Sequence, residues 1–238
     1  MESVQNKTFQ IAIDGPVAAG KGTTAKLVAK RLGFLYVDTG AMYRGLTLFI
    51  KQEEINWEDE REIIKILIER KPSVMLSIPK QDEVDGRLCT VKLNGVDVSW
   101  KIRAEKISRG VSIITQYSAV RDYVTPMARM IANKHDVVME GRDITSVVLP
   151  EADVLIYMDA KPKERARRRH RELLMRGEDV SFEEVLEELM KRDERDSTRK
   201  IAPLMQVKNA WKLDTMGMTI DEVAEKIINN VEEMRDKK

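Results

Sequence analysis

The stretch that most constrains this chain is Ile11-Ala-Ile-Asp-Gly-Pro-Val-Ala-Ala-Gly-Lys-Gly-Thr-Thr24. Phe9 to Ile13 is a short apolar run that reads as a buried strand, and Ala25, Val28, Ala29 and Leu32 recur after it at helical spacing. Between them, Gly15 to Gly20 makes a tight turn that fits G-x-x-x-x-G-K, the phosphate-binding P-loop. Glycine lets the backbone curl so that successive N–H groups point at phosphate oxygens, and the helix N-terminus adds partial positive charge. Lys21 supplies a point charge for the β- and γ-phosphates. The nucleotide-contacting set expected from this stretch is Gly15, Pro16, Val17, Ala18, Ala19, Gly20, Lys21, Gly22, Thr23 and Thr24. Gly22 stands where the motif has Ser or Thr, with hydroxyls one and two places later at Thr23 and Thr24.

A length of 238 residues fits one α/β domain with insertions, or at most two small ones. Forty-one basic residues nearly cancel 40 acidic ones, so a net charge of +1 gives no global field to recruit nucleic acid or an acidic membrane. The single cysteine, Cys89, cannot form an internal disulfide, which suits a reducing compartment. The start MESVQNKTFQ has no apolar core, and no apolar run approaches the ~20 residues that span a bilayer. A soluble, cytoplasmic protein is expected.

Along the chain, Phe34 to Val37 reads as a second strand that empties into Asp38-Thr-Gly-Ala-Met-Tyr-Arg44, the start of a helix to about Gln52. Ligands of open α/β sheets gather at the carboxyl ends of strands, which puts this loop beside the P-loop. Asp38 and Thr39 could serve as an ordinary helix cap, whereas Arg44, one turn in, suits bidentate phosphate binding. Residues 58–70 pattern as an amphipathic helix with Ile63, Ile64, Leu67 and Ile68 inward. From Val74 to Val98 alternation replaces helical spacing, in the runs 74–78, 88–93 and 96–98, with turns at Gly86 and Asn94-Gly95. This predicts a small inserted antiparallel sheet, with Cys89 as a small half-buried residue in it. Helical patterning then runs from near Arg103 to Lys134, broken near Tyr117-Ser118, and carries Ser112 and Arg121. By pattern alone those two read as solvent-facing. Val137 to Met139 is a third core strand, delivering Glu140-Gly-Arg142-Asp143 to the P-loop end of the sheet. Val154 to Met158 and Trp211 to Leu213 supply a fourth and a fifth.

Between those last strands, the basic run 161–171 is a solvated face, a nucleic-acid patch or a lid folding over a triphosphate. A Ser181-Phe-Glu-Glu184 capping box then opens a helix with Phe182, Val185, Leu186 and Leu189 as its stripe. Prolonging that stripe brings Arg192 beside it, Asp196 onto it and Arg199 one turn further. Charges that continue an inward face need partners, and a bound nucleotide would supply them. A last helix, 219–235, turns Val223, Ala224, Ile227 and Ile228 inward. His135 and His170 are both expected at the surface, and no strand ends in histidine.

Four segments in this order, Asp14 to Thr23, Asp38 to Arg44, Gly141 to Asp143 and Arg192 to Arg199, together with Asn94-Gly-Val-Asp-Val-Ser99 in the insert, resemble those of bacterial cytidylate (CMP) kinases. The resemblance covers nearly the whole chain. Gly22 is shared with that family, while Thr39 stands where serine is commoner. The resemblance implies an α/β P-loop kinase fold: a five-stranded parallel sheet flanked by helices, a small antiparallel β insert and a helical lid. One domain, 1–238, would comprise a core (1–37, 108–159, 178–238), a monophosphate-binding insert (38–107) and a lid (160–177). The implied reaction is ATP- and Mg2+-dependent phosphorylation of CMP or dCMP by a monomer with no nucleic-acid or membrane partner. Arg44 and Arg142 would hold the acceptor phosphate, with Thr39 nearby. Ser112, Arg121 and Asp143 would read cytosine, and Asp196 and Arg199 the sugar side. Lys21, Arg192, Arg165 and Arg168 would surround the transferring phosphoryl group, and Thr23 and Asp38 are the candidate metal partners.

The chemistry suits those residue types. The acceptor phosphate has a second pKa of ~6 and is mostly dianionic near neutrality, so no general base is needed. Positive charge and alignment are needed instead. Cytosine presents a donor at N4 where uracil presents an acceptor, and a carboxylate such as Asp143 distinguishes them. Other readings are a P-loop kinase for shikimate, gluconate or dephospho-coenzyme A, or a GTP-binding switch suggested by Asn133-Lys-His-Asp136. That tetrapeptide precedes a strand, whereas a guanine-reading loop follows one.

Overall fold

Ile11, Ala12 and Ile13 are wholly buried in succession, which requires a strand covered on both faces. In the computed structural model, which describes residues 8–80, 83, 85–87 and 89–235, this is β1 (Gln10–Asp14). It pairs in parallel with β6 (Val137–Glu140) on one side and β7 (Val154–Asp159) on the other. β2 (Leu35–Asp38) extends the sheet beyond β6, and β8 (Trp211–Asp214) beyond β7, giving the order β2-β6-β1-β7-β8. The parallel arrangement sets the ends of β1, β2 and β6 along one edge. β1 runs one residue later than the apolar pattern indicates, because Asp14 still pairs with Tyr157 in the ladder; β2 likewise takes in Asp38, opposite Glu140.

α1 (Lys21–Leu32) packs against α8 (Ile220–Arg235) on one face. The Arg235 guanidinium lies 4.9 Å from the Phe9 ring centroid and 5.0 Å from that of Phe34, binding the last helix to the first strands. α2 (Thr39–Gln52) is buried over most of its length and packs on α4 (Glu105–Ile114) and on the insert. α5 (Ser118–Ala132) follows the break at Tyr117 and leads into β6. Asn133 to Asp136 joins α5 to β6 at the opposite edge of the sheet from the P-loop, and Asp136 Oδ1 accepts the Phe9 N–H at 2.7 Å.

The insert is a three-stranded antiparallel sheet of β3 (Val74–Ser77), β4 (Thr90–Leu93) and β5 (Val96–Asp97). Asn94 and Gly95, at φ 49° and 84°, close the β4–β5 hairpin. Leu88, where the second alternating run begins, lies outside the described residues. Cys89 is fully buried rather than half-buried, 2% exposed, and burial pushes its thiol up to about 12. A thiol reagent at pH 8 is therefore expected to label Cys89 only after denaturation; stoichiometric labelling of the native protein would contradict this packing.

α3 (Glu60–Arg70) buries Ile63 and Leu67, half-buries Ile64 and Ile66 and leaves Ile68 65% exposed. Its contact is a narrow seam, and the broader stripe read from the sequence is wrong at Ile68.

α6 (Pro162–Met175) and α7 (Phe182–Thr198) pack on each other with their own cluster of Ala166, Leu173, Val185 and Leu189. The Ser181–Glu184 capping box is formed. His170 is not a surface residue: it is half-buried, edge-on to Phe182, with Nε2 2.9 Å from the Val180 carbonyl. Among the described residues no helix is long and apolar enough to cross a membrane.

Candidate active site

The turn after β1 leaves no space for a side chain at Gly15, where φ is 151° and a Cβ would lie 2.0 Å from the Met158 carbonyl oxygen. Gly20, at φ 93°, makes the left-handed step into α1. Lys21 folds back so that Nζ donates to the Gly15 and Pro16 carbonyls, each at 2.8 Å. Burial, then the neighbouring Arg142 charge, pulls this ammonium well below the usual lysine range.

Around this turn the strand ends enclose a cavity of about 850 Å³. Ala18 to Thr24 line it, whereas Gly15, Pro16 and Val17 do not. Thr39, Arg44, Ser112, Arg121, Arg142, Asp143, Arg168, Arg192, Asp196 and Arg199 all line it as well. So does Asp38, whose Oδ1 caps α2 by accepting the Ala41 N–H at 2.9 Å. Thr39 Oγ1 donates to the Glu140 carbonyl at 2.9 Å.

Cations crowd the P-loop side. Burial lowers the Arg44 guanidinium, and burial followed by Arg142 and Arg44 brings Arg192 down to about 10. Glu140 is pushed up by burial and by Asp38, against the pull of Lys21. Arg192 Nε is buried with no hydrogen-bond partner among the described residues. Buried cations set against one another, with Arg192 Nε short of an acceptor, form a receptor for a polyanion.

The far side is more nearly neutral. Arg121 Nη1 donates to Asp143 Oδ2 at 2.6 Å and its Nε to the Thr115 carbonyl at 2.8 Å, with the guanidinium 5.7 Å from the Tyr43 ring centroid. Arg199 Nη2 lies 3.8 Å from Asp143 Oδ1 and makes no hydrogen bond among the described residues. Asp14, at the end of β1, accepts from the Ile144 N–H, the Thr145 N–H and Thr145 Oγ1 at 2.9, 2.7 and 2.6 Å. That fixes the π-helical turn Ile144–Val148 and the backbone of Asp143 before it. Arg142 Nε donates to Asp196 Oδ2 at 3.0 Å. Burial raises the Asp196 carboxyl, but Arg142, Arg192 and Arg199 outweigh burial and hold it below the usual range.

On α6, Arg168 donates to Thr215 Oγ1 at 3.0 Å and to the Thr215 carbonyl at 2.8 Å. Arg165 is not at the cavity wall: it is 4% exposed and bonded to the Val17 and Ala160 carbonyls. Arg169, one place beyond Arg168, lines the cavity instead. Sequence reasoning also passed over Arg103 and Glu140 as site residues, and both line it. Glu140 was open to discovery, since it ends the strand that leads into Arg142 and Asp143; Arg103 lies in a short 3-10 turn with no motif to mark it.

No group of three or more His, Cys, Asp or Glu able to hold a metal occurs among the described residues. The Thr23 hydroxyl and the Asp38 and Glu140 carboxylates are nonetheless hard oxygen donors on the cavity wall, which fits a Mg2+ ion held largely by phosphate oxygens and water.

A P-loop on the central strand of a parallel sheet, faced by arginines from α2, α6, α7 and the end of β6, defines a P-loop kinase. The sequence model of the family described as cytidylate kinase matches residues 11–233. The chain is 46% identical over 222 residues to the cytidylate kinase of Caldanaerobacter subterraneus subsp. tengcongensis, covering 93% of this chain and 94% of that one. It is 44% identical over 220 residues to that of Carboxydothermus hydrogenoformans (92% and 96% covered) and 41% identical over 227 residues to that of Bacillus subtilis (95% and 98%). The chain belongs to the cytidylate kinase family of nucleoside-monophosphate kinases.

Proposed function

We propose that this enzyme transfers the γ-phosphoryl group of ATP in line to CMP and dCMP, with the P-loop cradling the donor and the Asp143 side of the cavity reading the acceptor base. The observation that carries the reading is the polarity of the cavity: buried cations that repel one another around Lys21 at one side, with Arg192 Nε short of an acceptor, and a hydrogen-bonding Asp143–Arg121 pair at the other. Lys21 and the amides of Ala18 to Thr24 hold the donor phosphates. Arg44 and Arg142, with Thr39 beside them, hold the acceptor phosphate. Arg192 and Arg168 spread positive charge over the phosphoryl group in transit. Asp196 and Arg199 hold the sugar, and Ser112 completes the base pocket. Thr23, Asp38 and Glu140 would hold Mg2+, directly or through water, and the ion when bound neutralises β- and γ-phosphate charge. The segment 160–177, built around α6, serves as the lid, closing over the triphosphate and excluding water.

Base choice gives the test. Asp143 accepts from cytosine N4, and uracil sets an acceptor against it in a dry pocket, a mismatch of about 1–3 kcal/mol. Across a panel of nucleoside monophosphates with ATP, CMP and dCMP are expected to react with about 5- to 150-fold higher kcat/KM than UMP. Equal efficiency with UMP would remove the base-reading role of Asp143. Turnover of shikimate or gluconate in place of CMP would replace the whole reading.

A further inference from the structure

We propose that Arg165 and Asp193 are positioning residues that fix the crown of the P-loop, linking its phosphate-facing amides to the base of the α6–α7 pair. This rests on the reading above that the P-loop takes the phosphates of ATP. Neither side chain lines the 850 Å³ cavity. Arg165 Nη1 donates to the Val17 carbonyl at 3.0 Å and pairs with Asp193 Oδ2 at 2.6 Å, while Nε donates to the Ala160 carbonyl at 2.8 Å. Asp193 Oδ1 in turn faces the Val17 N–H at 3.4 Å, a long contact. Both backbone polar groups of one P-loop residue are thus held from behind by a single ion pair, whose side chains are 4% and 22% exposed.

The geometry of the peptide unit turns this grip into a function. In a trans peptide the C=O and the following N–H point in opposite directions, and the described chain has no cis peptide. Drawing the Val17 carbonyl back toward Arg165 therefore aims the Ala18 N–H forward, and Ala18 lines the cavity. The preceding unit is flipped the other way: the Pro16 carbonyl turns in to Lys21 Nζ, and the Val17 N–H turns out to Asp193. Ala18 needs such support, since it holds φ 57° without being glycine. The side chains of Val17 and Ala18 rest on the small α6–α7 cluster, a second tie between the same two parts. Asp193 also adjoins Arg192, so the pair sets the register of the P-loop against a cavity arginine.

The test is made on the full chain, measuring equilibrium affinity for ATP and, separately, for CMP, with steady-state kinetics alongside. Asp193→Asn and Arg165→Ala are each expected to weaken ATP binding about tenfold while CMP affinity stays within twofold. The double variant should lose no more than the worse single one, and Arg165→Lys, which can still reach one oxygen, should recover part of the loss. A large kcat loss in Arg165→Ala with ATP affinity unchanged, and Asp193→Asn behaving as wild type, would overturn the proposal and make Arg165 a phosphate contact. Equal weakening of ATP and CMP would also overturn it, as general destabilisation. Should Arg165→Ala fail to fold, the isosteric Asp193→Asn decides alone. Wild-type protein that binds no ATP would sink the functional reading and the clamp together, whereas ATP binding untouched by either change sinks only the clamp.

Discussion

A Lys21→Met variant is expected to turn over CMP about 10³-fold more slowly than wild type while still binding CMP within a few-fold. Removing one preorganised charge from a transition state costs about 10²–10³ in rate, and Lys21 has a second task. Its ammonium satisfies the Gly15 and Pro16 carbonyls, so the loop loses its internal staple together with its charge. Stability should change less than rate. Two buried carbonyls lose their donor, at about 1–3 kcal/mol each, but a cation that burial and Arg142 already disfavour is removed with it. Coupled kinetics, CMP calorimetry and a melting curve separate these effects. Turnover within tenfold of wild type in the folded variant would deny Lys21 its place at the phosphoryl group.

Asp143→Asn is expected to have the second largest effect, and of a different kind: loss of preference between acceptors more than loss of speed. An amide can turn either a donor or an acceptor toward the base, so the penalty on uracil falls and the CMP advantage over UMP shrinks about tenfold or more. The change also breaks a pair whose side chains are 6% and 5% exposed, leaving Arg121 with the Thr115 carbonyl and the Tyr43 ring. Breaking a buried pair from one side costs about 3–5 kcal/mol, so melting should fall clearly. The kcat/KM ratio for CMP against UMP is the deciding number because lost stability lowers both alike. An unchanged ratio in folded Asp143→Asn protein would move base recognition elsewhere in the cavity.

The legibility of this molecule varies with the range of each signal. The P-loop could be read from about a dozen contiguous residues because its chemistry is local: glycines where φ is positive, a lysine, then a helix. The five strands were equally plain as apolar runs. Arg44 and Arg142 could be placed at the P-loop end of the sheet because each follows a parallel strand, but that they meet Arg192 in one cavity depends on the strand order β2-β6-β1-β7-β8, which periodicity does not encode. Arg165 shows the limit. It shares a basic run with Arg168 and Arg169, and composition cannot say which of the three reaches the cavity. One turn of helix separates a side chain that meets the P-loop backbone from those that line the pocket. Asp193 was hidden likewise, one residue from the stripe carrying Arg192 and Asp196. Ile68 fails for a further reason, since an amphipathic stripe reports what a helix can bury and not how wide a neighbour it has.

The central place of β1 also governs how this protein comes into being. The strand is synthesised well ahead of both its partners, β6 and β7, which are encoded more than half the length of this chain later. Until Val137 to Asp159 has left the ribosome, Ile11 and Ile13 have no ladder to join, and the phosphate cradle has nothing behind it. Pairings of such long sequence separation form slowly, and the unpaired apolar strand stays open to wrong associations meanwhile. A nascent chain stopped short of β6 would therefore hold the whole P-loop motif and still be unable to grip a nucleotide.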